Sequence, residues 1–115
     1  MGAVRESEVL LLHAEICSAL ADPRRILLLY ELAEGPHHVT DLATALGITQ
    51  PLASRHLKVL RERGLVAAER QGSMVSYSLT DGRVIQALDL LRAVLADKLR
   101  SQAALVESVE ATPEI

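Results

Sequence analysis

The stretch that decides the fold is TQPLASRHLKVL, residues 49–60. Thr49 is a good helix N-cap, and the residues after it predict a helix over residues 50–63 that stops at Gly64. Three apolar residues recur at i, i+4 and i+7 and so share one face: Ala53, Leu57 and Leu60. The face opposite them is polar and cationic, and it carries Ser54, Arg55, Lys58 and Arg61.

A shorter helix and a tight turn precede this segment. Thr40 can cap that helix, Leu42 and Leu46 belong to its apolar side, and Gly47 supplies the left-handed backbone that ends it. The turn between the two helices is therefore only a few residues long.

After Gly64 the apolar pattern changes from a helical period to that of strands. Residues 65–70 and 74–79 predict a β-hairpin whose turn lies around Gln71-Gly72-Ser73. A winged helix-turn-helix has this order of elements: two helices joined by a short turn with Gly, the second helix with a cationic face, and then a hairpin. We expect a mainly α fold with a small β-hairpin, a helix-turn-helix at about residues 41–63 and a wing at about residues 65–79.

The second helix of such a motif enters the major groove of double-stranded DNA. Gln50 can pair with adenine, Arg55 with guanine, and Ser54 with either base. Lys58 and Arg61 are better placed for phosphates.

Three further positions extend this predicted DNA-binding surface. Thr49, at the helix N-terminus, can meet a phosphate, while Arg70 and Ser73 near the hairpin tip can reach the minor groove or the backbone. Residues 54–72 carry a net charge of +3 although the whole chain carries −3. The alternative interpretation is a solvated charged helix face, and the order of the elements argues against it.

The two ends of the chain predict further helices. Residues 7–20 place Leu12, Ile16 and Leu20 on one stripe, and Asp22-Pro23 starts a helix that Gly35-Pro36 stops. From Asp81 to about residue 110 runs a long helix with an apolar seam at Val84, Leu88, Leu91, Leu95 and Leu99. One small domain cannot bury all of this seam, so a partner is expected.

Composition limits the class of protein. The 115 residues fit one domain, residues 1–115, and 50% are hydrophobic while 2% are aromatic, which favours packed helices. No stretch is long and apolar enough to cross a membrane, and the N-terminus lacks a signal-peptide pattern, so a cytoplasmic protein is expected. No phosphate-binding loop, nucleophile elbow or His-Glu metal motif suggests an enzyme.

The sequence resembles the ArsR/SmtB family of bacterial metalloregulators over nearly its whole length. The matching stretches are ALADPRR at residues 19–25, DLA at 41–43, the TQPLASRHLKVL segment, RGLV at 63–66 and YSL at 77–79. The resemblance implies a homodimer joined through helices at about 7–20 and 82–110, which represses its own operon until an effector releases it from operator DNA. The candidate interface residues are Leu12, Ile16, Leu88, Leu91, Leu95 and Leu99.

The signal that this chain senses is left open by its residues. Arsenic-sensing relatives carry two cysteines where this chain has His38-Val39-Thr40, and the last helix offers Asp89 and Asp97 without the histidines of zinc and nickel sensors. The cofactor is therefore unknown. His13 and Cys17, an i, i+4 pair, are candidates for soft-metal or thiol sensing.

The same residues also have interpretations without a sensing role. Cys17 is expected to be a small buried hydrophobe beside Ile16 and Leu20 in preference to a sensor. His37 and His38 are expected in a solvated loop, and His56 in a packing role.

Two alternative functions also fit the sequence. A winged-helix protein-interaction module would need no specific DNA. A repressor without any metal or thiol sensor would keep the DNA-binding surface and lack the switch.

Overall fold

A computed structural model of the protein describes residues 4–111, with side chains for residues 4–110. Contacts divide the chain into two compact units, the first ending at Gly82 and the second beginning at Arg83. The expectation of one domain over residues 1–115 stays a prediction, and its ends at residues 1–3 and 112–115 lie outside the described part.

The elements follow one another in a simple order. The helices are α1 (Glu6–Leu12), α2 (Pro23–Ala33), α3 (Val39–Leu46), α4 (Gln50–Glu62) and α5 (Arg83–Ala111). The strands are β1 (His37–His38), β2 (Val66–Gln71) and β3 (Met74–Leu79), which form an antiparallel sheet in the order β1-β3-β2. The chain has a winged helix-turn-helix fold, as the sequence predicts.

The core of the first unit is aliphatic. Helix α2 packs on α3, α4 and β3. The largest fully buried side chains are all leucines: Leu28, Leu29, Leu42, Leu57 and Leu60. With almost no aromatic residues available, the core depends on such leucines, each of which contributes roughly 1.5–3 kcal/mol of hydrophobic stabilisation when fully buried.

The hairpin has the predicted strands, with β2 shifted by one residue. Gln71 pairs with Met74, which leaves a two-residue turn of Gly72 and Ser73. Gly72 has φ +64°, the left-handed backbone that two-residue hairpin turns favour. The wing is therefore a tight ribbon that ends at Ser73.

The sequence predicts one continuous helix over residues 7–20, and the structure differs from this prediction. After α1, residues His13–Cys17 form a π-helical turn and Ala19–Ala21 a 3₁₀ turn. The Ser18 N–H donates to the His13 carbonyl at 2.9 Å, and the Ser18 hydroxyl donates to the Ala14 carbonyl. Such a serine bond to the carbonyl four residues earlier competes with the regular helix and bends it.

The expected solvated loop at His37 and His38 is wrong. These residues form β1, in which His37 pairs with Tyr77 and His38 with Ser76. A two-residue strand is too short for any pattern in the sequence to indicate, because the pairing comes from β3. The neighbouring helix α3 also begins two residues earlier than a Thr40 cap would allow, with His38 at its N-cap position.

Helix α5 is a single helix of 29 residues. It begins two residues after Asp81, close to its predicted start. Among the described residues, no helix combines the length and apolar character that a bilayer crossing requires.

Candidate nucleic-acid interface

Hydrogen bonds fix the start of α4. Gly47 has φ +65°, which lets the Ile48 N–H reach the Ala43 carbonyl at 3.0 Å and close α3. The Thr49 hydroxyl then accepts from the Leu52 N–H at 3.3 Å, as the predicted N-cap should. The turn sets the direction of α4 because both of its ends are hydrogen-bonded.

Helix α4 has one buried face and one open face. The buried face carries Ala53, His56, Leu57 and Leu60. The predicted DNA-contacting residues of this segment are all exposed: Thr49, Gln50, Ser54, Arg55, Lys58 and Arg61. A row of amide, hydroxyl and cationic groups thus lies on one solvent-facing side.

The wing adjoins this open face at two clefts. Gln50 and Ser54 of α4 line a cleft together with Ser73 and Tyr77 of the hairpin. Arg61 and Arg70 line a second, shallower cleft beside Val75. The structure therefore brings the two groups of residues predicted from the sequence, helix and wing, onto one surface.

The C-terminal end of α4 is fastened to the sheet. Gly64, at φ +74°, lets the Leu65 N–H bond to the Leu60 carbonyl at 2.9 Å. The Thr80 hydroxyl donates to the Gly64 carbonyl at 2.6 Å, and the Thr80 N–H donates to the Leu65 carbonyl at 3.2 Å. Sequence analysis missed Thr80 because a hydroxyl at a strand end gives no periodic signal.

Arg25 links three parts of the first unit. Its Nε donates to the Ala19 carbonyl at 2.6 Å and its Nη2 to the Ser18 carbonyl at 3.2 Å. Its Nη1 lies 3.5 Å from Nδ1 of His56 on α4. One guanidinium thus holds the segment after α1 against α4.

His56 is buried, as its expected packing role requires. Burial lowers the pKa of His56; the carboxylate of Asp22 opposes this, and the guanidinium of Arg25 adds to it. The neutral ring can accept from Arg25 at Nδ1, whereas a second proton would place two cations side by side.

Asp22 shapes the opposite side of this network. Its carboxylate accepts from the Arg24 N–H at 2.8 Å, so it caps α2 as predicted. That backbone hydrogen bond lowers the pKa of Asp22.

Not every cation near α4 points toward the open face. Arg63 pairs with Glu15 of the π-helical turn at 3.3 Å. Both side chains are partly exposed, and such a pair contributes little stability. Arg63 therefore adds less to the cationic surface than its position in the sequence suggests.

A family model for bacterial regulatory proteins of the arsR family matches residues 22–68, which hold α2, the helix-turn-helix and the start of the wing. The chain is 36% identical over 100 residues to the "Probable mercury resistance operon repressor" of Streptomyces lividans, an alignment that covers 84% of this chain and 80% of that protein. This chain belongs to the ArsR family.

Two further comparisons agree with this membership. The HTH-type transcriptional regulator NmtR of Mycobacterium tuberculosis is 47% identical over 76 residues, which cover 66% of this chain and 63% of NmtR. The chain thus spans less than two thirds of that relative. A homodimeric winged helix-turn-helix DNA-binding domain from Mycobacterium bovis superposes with a TM-score of 0.71 at 32% identity, covering 88% of this chain and 95% of that domain.

The predicted interface residues of this ArsR-family chain differ from one another in how far they are exposed in the single chain. Leu12, Leu91, Leu95 and Leu99 are each about half exposed or more, Ile16 is partly buried, and Leu88 is buried at 5% exposure. Further apolar side chains that the sequence analysis left out are also exposed on α5: Leu90, Val94, Leu105, Val106 and Val109.

The sensor candidates also differ from one another. Cys17 is exposed, so its interpretation as a buried hydrophobe is wrong for the single chain, in which neither α1 nor the π-helical turn buries any residue. His13 is exposed as well. At residues 38–40 the donors do not fit a thiophilic metal, and His38 Nδ1 instead lies 3.8 Å from the Asp41 carboxylate.

One cluster of potential metal ligands was missed by the sequence analysis. Glu31 and Glu34, at the end of α2, and His37 of β1 have ligand atoms that all lie within 4.8 Å of one another. A Glu-x-x-Glu-x-x-His spacing is a signal that the sequence does contain. Its meaning depends on the Gly35-Pro36 turn, which returns the chain toward α2.

Proposed function

We propose that this chain is a transcriptional repressor that binds operator DNA as a homodimer. Helix α4 enters the major groove, and the β2–β3 wing contacts the flanking backbone or minor groove. The single observation that carries the proposal is the shared cleft of Gln50, Ser54 and Ser73, because it aligns base-reading side chains with the wing tip.

The chemistry of the surface supports separate roles for its residues. Gln50 and Arg55 offer bidentate hydrogen bonds to adenine and guanine, respectively. Lys58, Arg61 and Arg70 are exposed cations suited to phosphates, and Thr49 is an exposed residue at the N-terminus of α4. A regulatory function needs no catalytic group on this surface.

A second copy of the chain is the proposed partner for the exposed apolar residues of α1 and α5. Leu91, Leu95 and Leu99 follow one another at i, i+4 spacing and remain more than half exposed in the single chain. The homodimeric neighbour from Mycobacterium bovis supports this assembly. Two copies also match the two half-sites that dimeric helix-turn-helix proteins read.

Release from DNA by an oxidant or soft metal at Cys17 is the proposed switch. The thiol is exposed, with exposed His13 four residues before it, and a mercury-resistance repressor is among the relatives. The Cys17→Ser variant should bind the operator normally and resist release by diamide or Hg²⁺. Release that is unchanged in Cys17→Ser would remove Cys17 from the switch.

The DNA-binding proposal is tested by fluorescence anisotropy with reduced, metal-stripped protein. The duplex upstream of the chain's own gene is compared with a scrambled duplex over a series of salt concentrations. We expect specific binding whose affinity falls steeply with salt, and Lys58→Ala should reduce the slope of log K against log [salt] by about 1. Lys98→Ala, an exposed cation on α5, is the matched control and should leave the slope unchanged.

Equal affinity for the two duplexes would argue for a protein-interaction module. An unchanged salt slope in Lys58→Ala would instead remove α4 from the phosphate contacts.

A further inference from the structure

We propose that Glu31, Glu34 and His37 form a binding site for a divalent transition-metal cation of the Zn²⁺ class. Two carboxylates and one imidazole are ligands that such cations accept, and zinc commonly combines three protein ligands with one water. None of these three residues lines the cleft of Gln50 and Ser54, and Cys17 is not among them.

The geometry of the cluster is close to that of a formed site. The candidate ligand atoms lie within 4.8 Å of one another, whereas tetrahedral zinc at ~2.0–2.1 Å from its ligands separates them by roughly 3.3 Å. The ligand atoms therefore need to approach one another by only a small distance to bind the cation. Glu34 is exposed, so its carboxylate can rotate toward the other two groups without disturbing the core.

His37 has a group that needs a partner. Its Nε2 atom is buried and makes no hydrogen bond within the described part of the chain. A buried ring nitrogen without a partner is costly, since it has given up its hydrogen bond to water. A cation held between the ring and the carboxylates would supply one.

The charges around the two carboxylates favour a cation as well. Glu31 lies in the last turn of α2 and Glu34 is its C-cap residue, so both face the negative end of the helix dipole. No basic residue lies in that last turn to balance them. The two like charges at i, i+3 also repel each other, and a divalent cation removes both penalties.

The position of the site gives the cation a structural consequence. The ligands lie on both sides of the turn at Gly35, whose φ of +142° is a backbone conformation that glycine adopts readily. His37 pairs with Tyr77 of β3. The bound cation would join the end of α2 to the edge of the sheet, directly before α3. Its binding is measured without DNA, so its failure would leave the DNA-binding proposal intact.

The ligand set also selects among metals. Without a thiolate the cluster is a poor site for mercury, and its imidazole favours zinc, nickel or copper over calcium and magnesium. Zn²⁺ is therefore the probe to use first, with Mg²⁺ as the comparison.

The experiment is isothermal titration calorimetry of Zn²⁺ into the chelator-treated full chain, kept reduced. We expect saturable binding of one cation per chain and a rise in Tm on binding, because the cation binds only the folded state. Loss of a residue that only supports a metal ligand already weakens metal binding by ~10-fold or more. Because Glu34 is proposed to be a ligand itself, Glu34→Gln should weaken Zn²⁺ binding by at least this factor. Because Glu34 is exposed, the metal-free variant should melt at the wild-type temperature.

Two controls decide which residues hold the metal. Glu8→Gln, an exposed carboxylate of α1, and Cys17→Ser should both keep the wild-type affinity. Glu31→Gln and His37→Gln should weaken binding as Glu34→Gln does. Zn²⁺ binding that persists in all three cluster variants, binding that Cys17→Ser abolishes, or no saturable binding at all would each overturn the proposal.

Discussion

Helices α4 and α5 carry similar apolar patterns but differ in what covers them. The apolar residues of α4, Ala53, Leu57 and Leu60, are fully buried within the first unit. On α5 the seam from Leu91 to Leu99 is more than half exposed in the single chain. A leucine repeat therefore indicates which face of a helix is apolar, but not whether its own chain or a second copy buries it.

The largest expected effect comes from opening the core beneath α4. Leu57→Ala should lower the free energy of unfolding by about 2–5 kcal/mol, because it leaves a cavity at a side chain with no exposure. Met74→Ala, at an exposed apolar residue of the hairpin, is the control and should change it by less than ~0.5 kcal/mol. Urea denaturation measures both, and equal effects would show that the core is misplaced.

A substitution on α5 should act on assembly instead. Leu95→Ala should weaken the dimer by about 2 kcal/mol, since each protomer loses part of one leucine, and this is roughly 30-fold in Kd. Sedimentation velocity over a dilution series measures the change. The neighbouring Lys98→Ala should stay within threefold of the wild type; if Leu95→Ala does so too, α5 is not the interface.

The cap of α4 should contribute less. Thr49→Ala removes the hydroxyl that accepts the Leu52 N–H, and it should cost about 1 kcal/mol of folding free energy. Thr44→Ala also removes a hydroxyl, but one that bonds to the Thr40 carbonyl within α3. Thermal unfolding should find Thr44→Ala near the wild type, and a reversed order would contradict the assigned cap.

The smallest expected effect is on the pH dependence of stability. Because burial lowers the pKa of His56, the unfolded chain takes up its proton first as the pH falls below about 6.5. The stability tied to His56 is complete above that pH and is lost as the pH falls toward the lowered pKa. Asp22, whose pKa is lowered from 3.8, loses its contribution only at more acidic pH.

The difference between wild type and a His56→Gln variant isolates this titration. Urea midpoints at several pH values should show a wild-type decline below pH 6.5 that His56→Gln lacks. Parallel curves would mean that the carboxylate of Asp22, which raises the pKa of His56, cancels the lowering by burial and by the guanidinium groups of Arg25, Arg24 and Arg55.

Local signals made most of the first unit predictable. Asp22 with Pro23, Gly47 with Thr49, and Gly64 each mark a helix end through chemistry that acts over a few residues. The open face of α4 follows from helical spacing alone. The predicted DNA-contacting residues of α4 therefore share one face without any knowledge of the tertiary structure, whereas the approach of Arg70 and Ser73 to that face depends on the fold.

Other features depend on groups distant in sequence, and no local pattern contains them. β1 exists because β3 pairs with it, and Arg25 reaches His56 across 31 positions. The π-helical turn at residues 13–17 and the cluster of Glu31, Glu34 and His37 are local instead, but apolar periodicity does not show the turns that form them. The exposed seam of α5, in contrast, is expected from the sequence, because one small domain cannot bury it, and Leu91, Leu95 and Leu99 are more than half exposed in the single chain.

The open face of α4 is proposed to read base sequence. The most direct test of this proposal is anisotropy binding of wild type and Arg55→Ala to the operator and to duplexes carrying single substitutions at each guanine. We expect Arg55→Ala to lose about 1–3 kcal/mol of binding free energy on the operator and to stop discriminating at one guanine position in each half-site, while it keeps its discrimination elsewhere. Discrimination that is the same in both proteins at every guanine would show that Arg55 does not read a base.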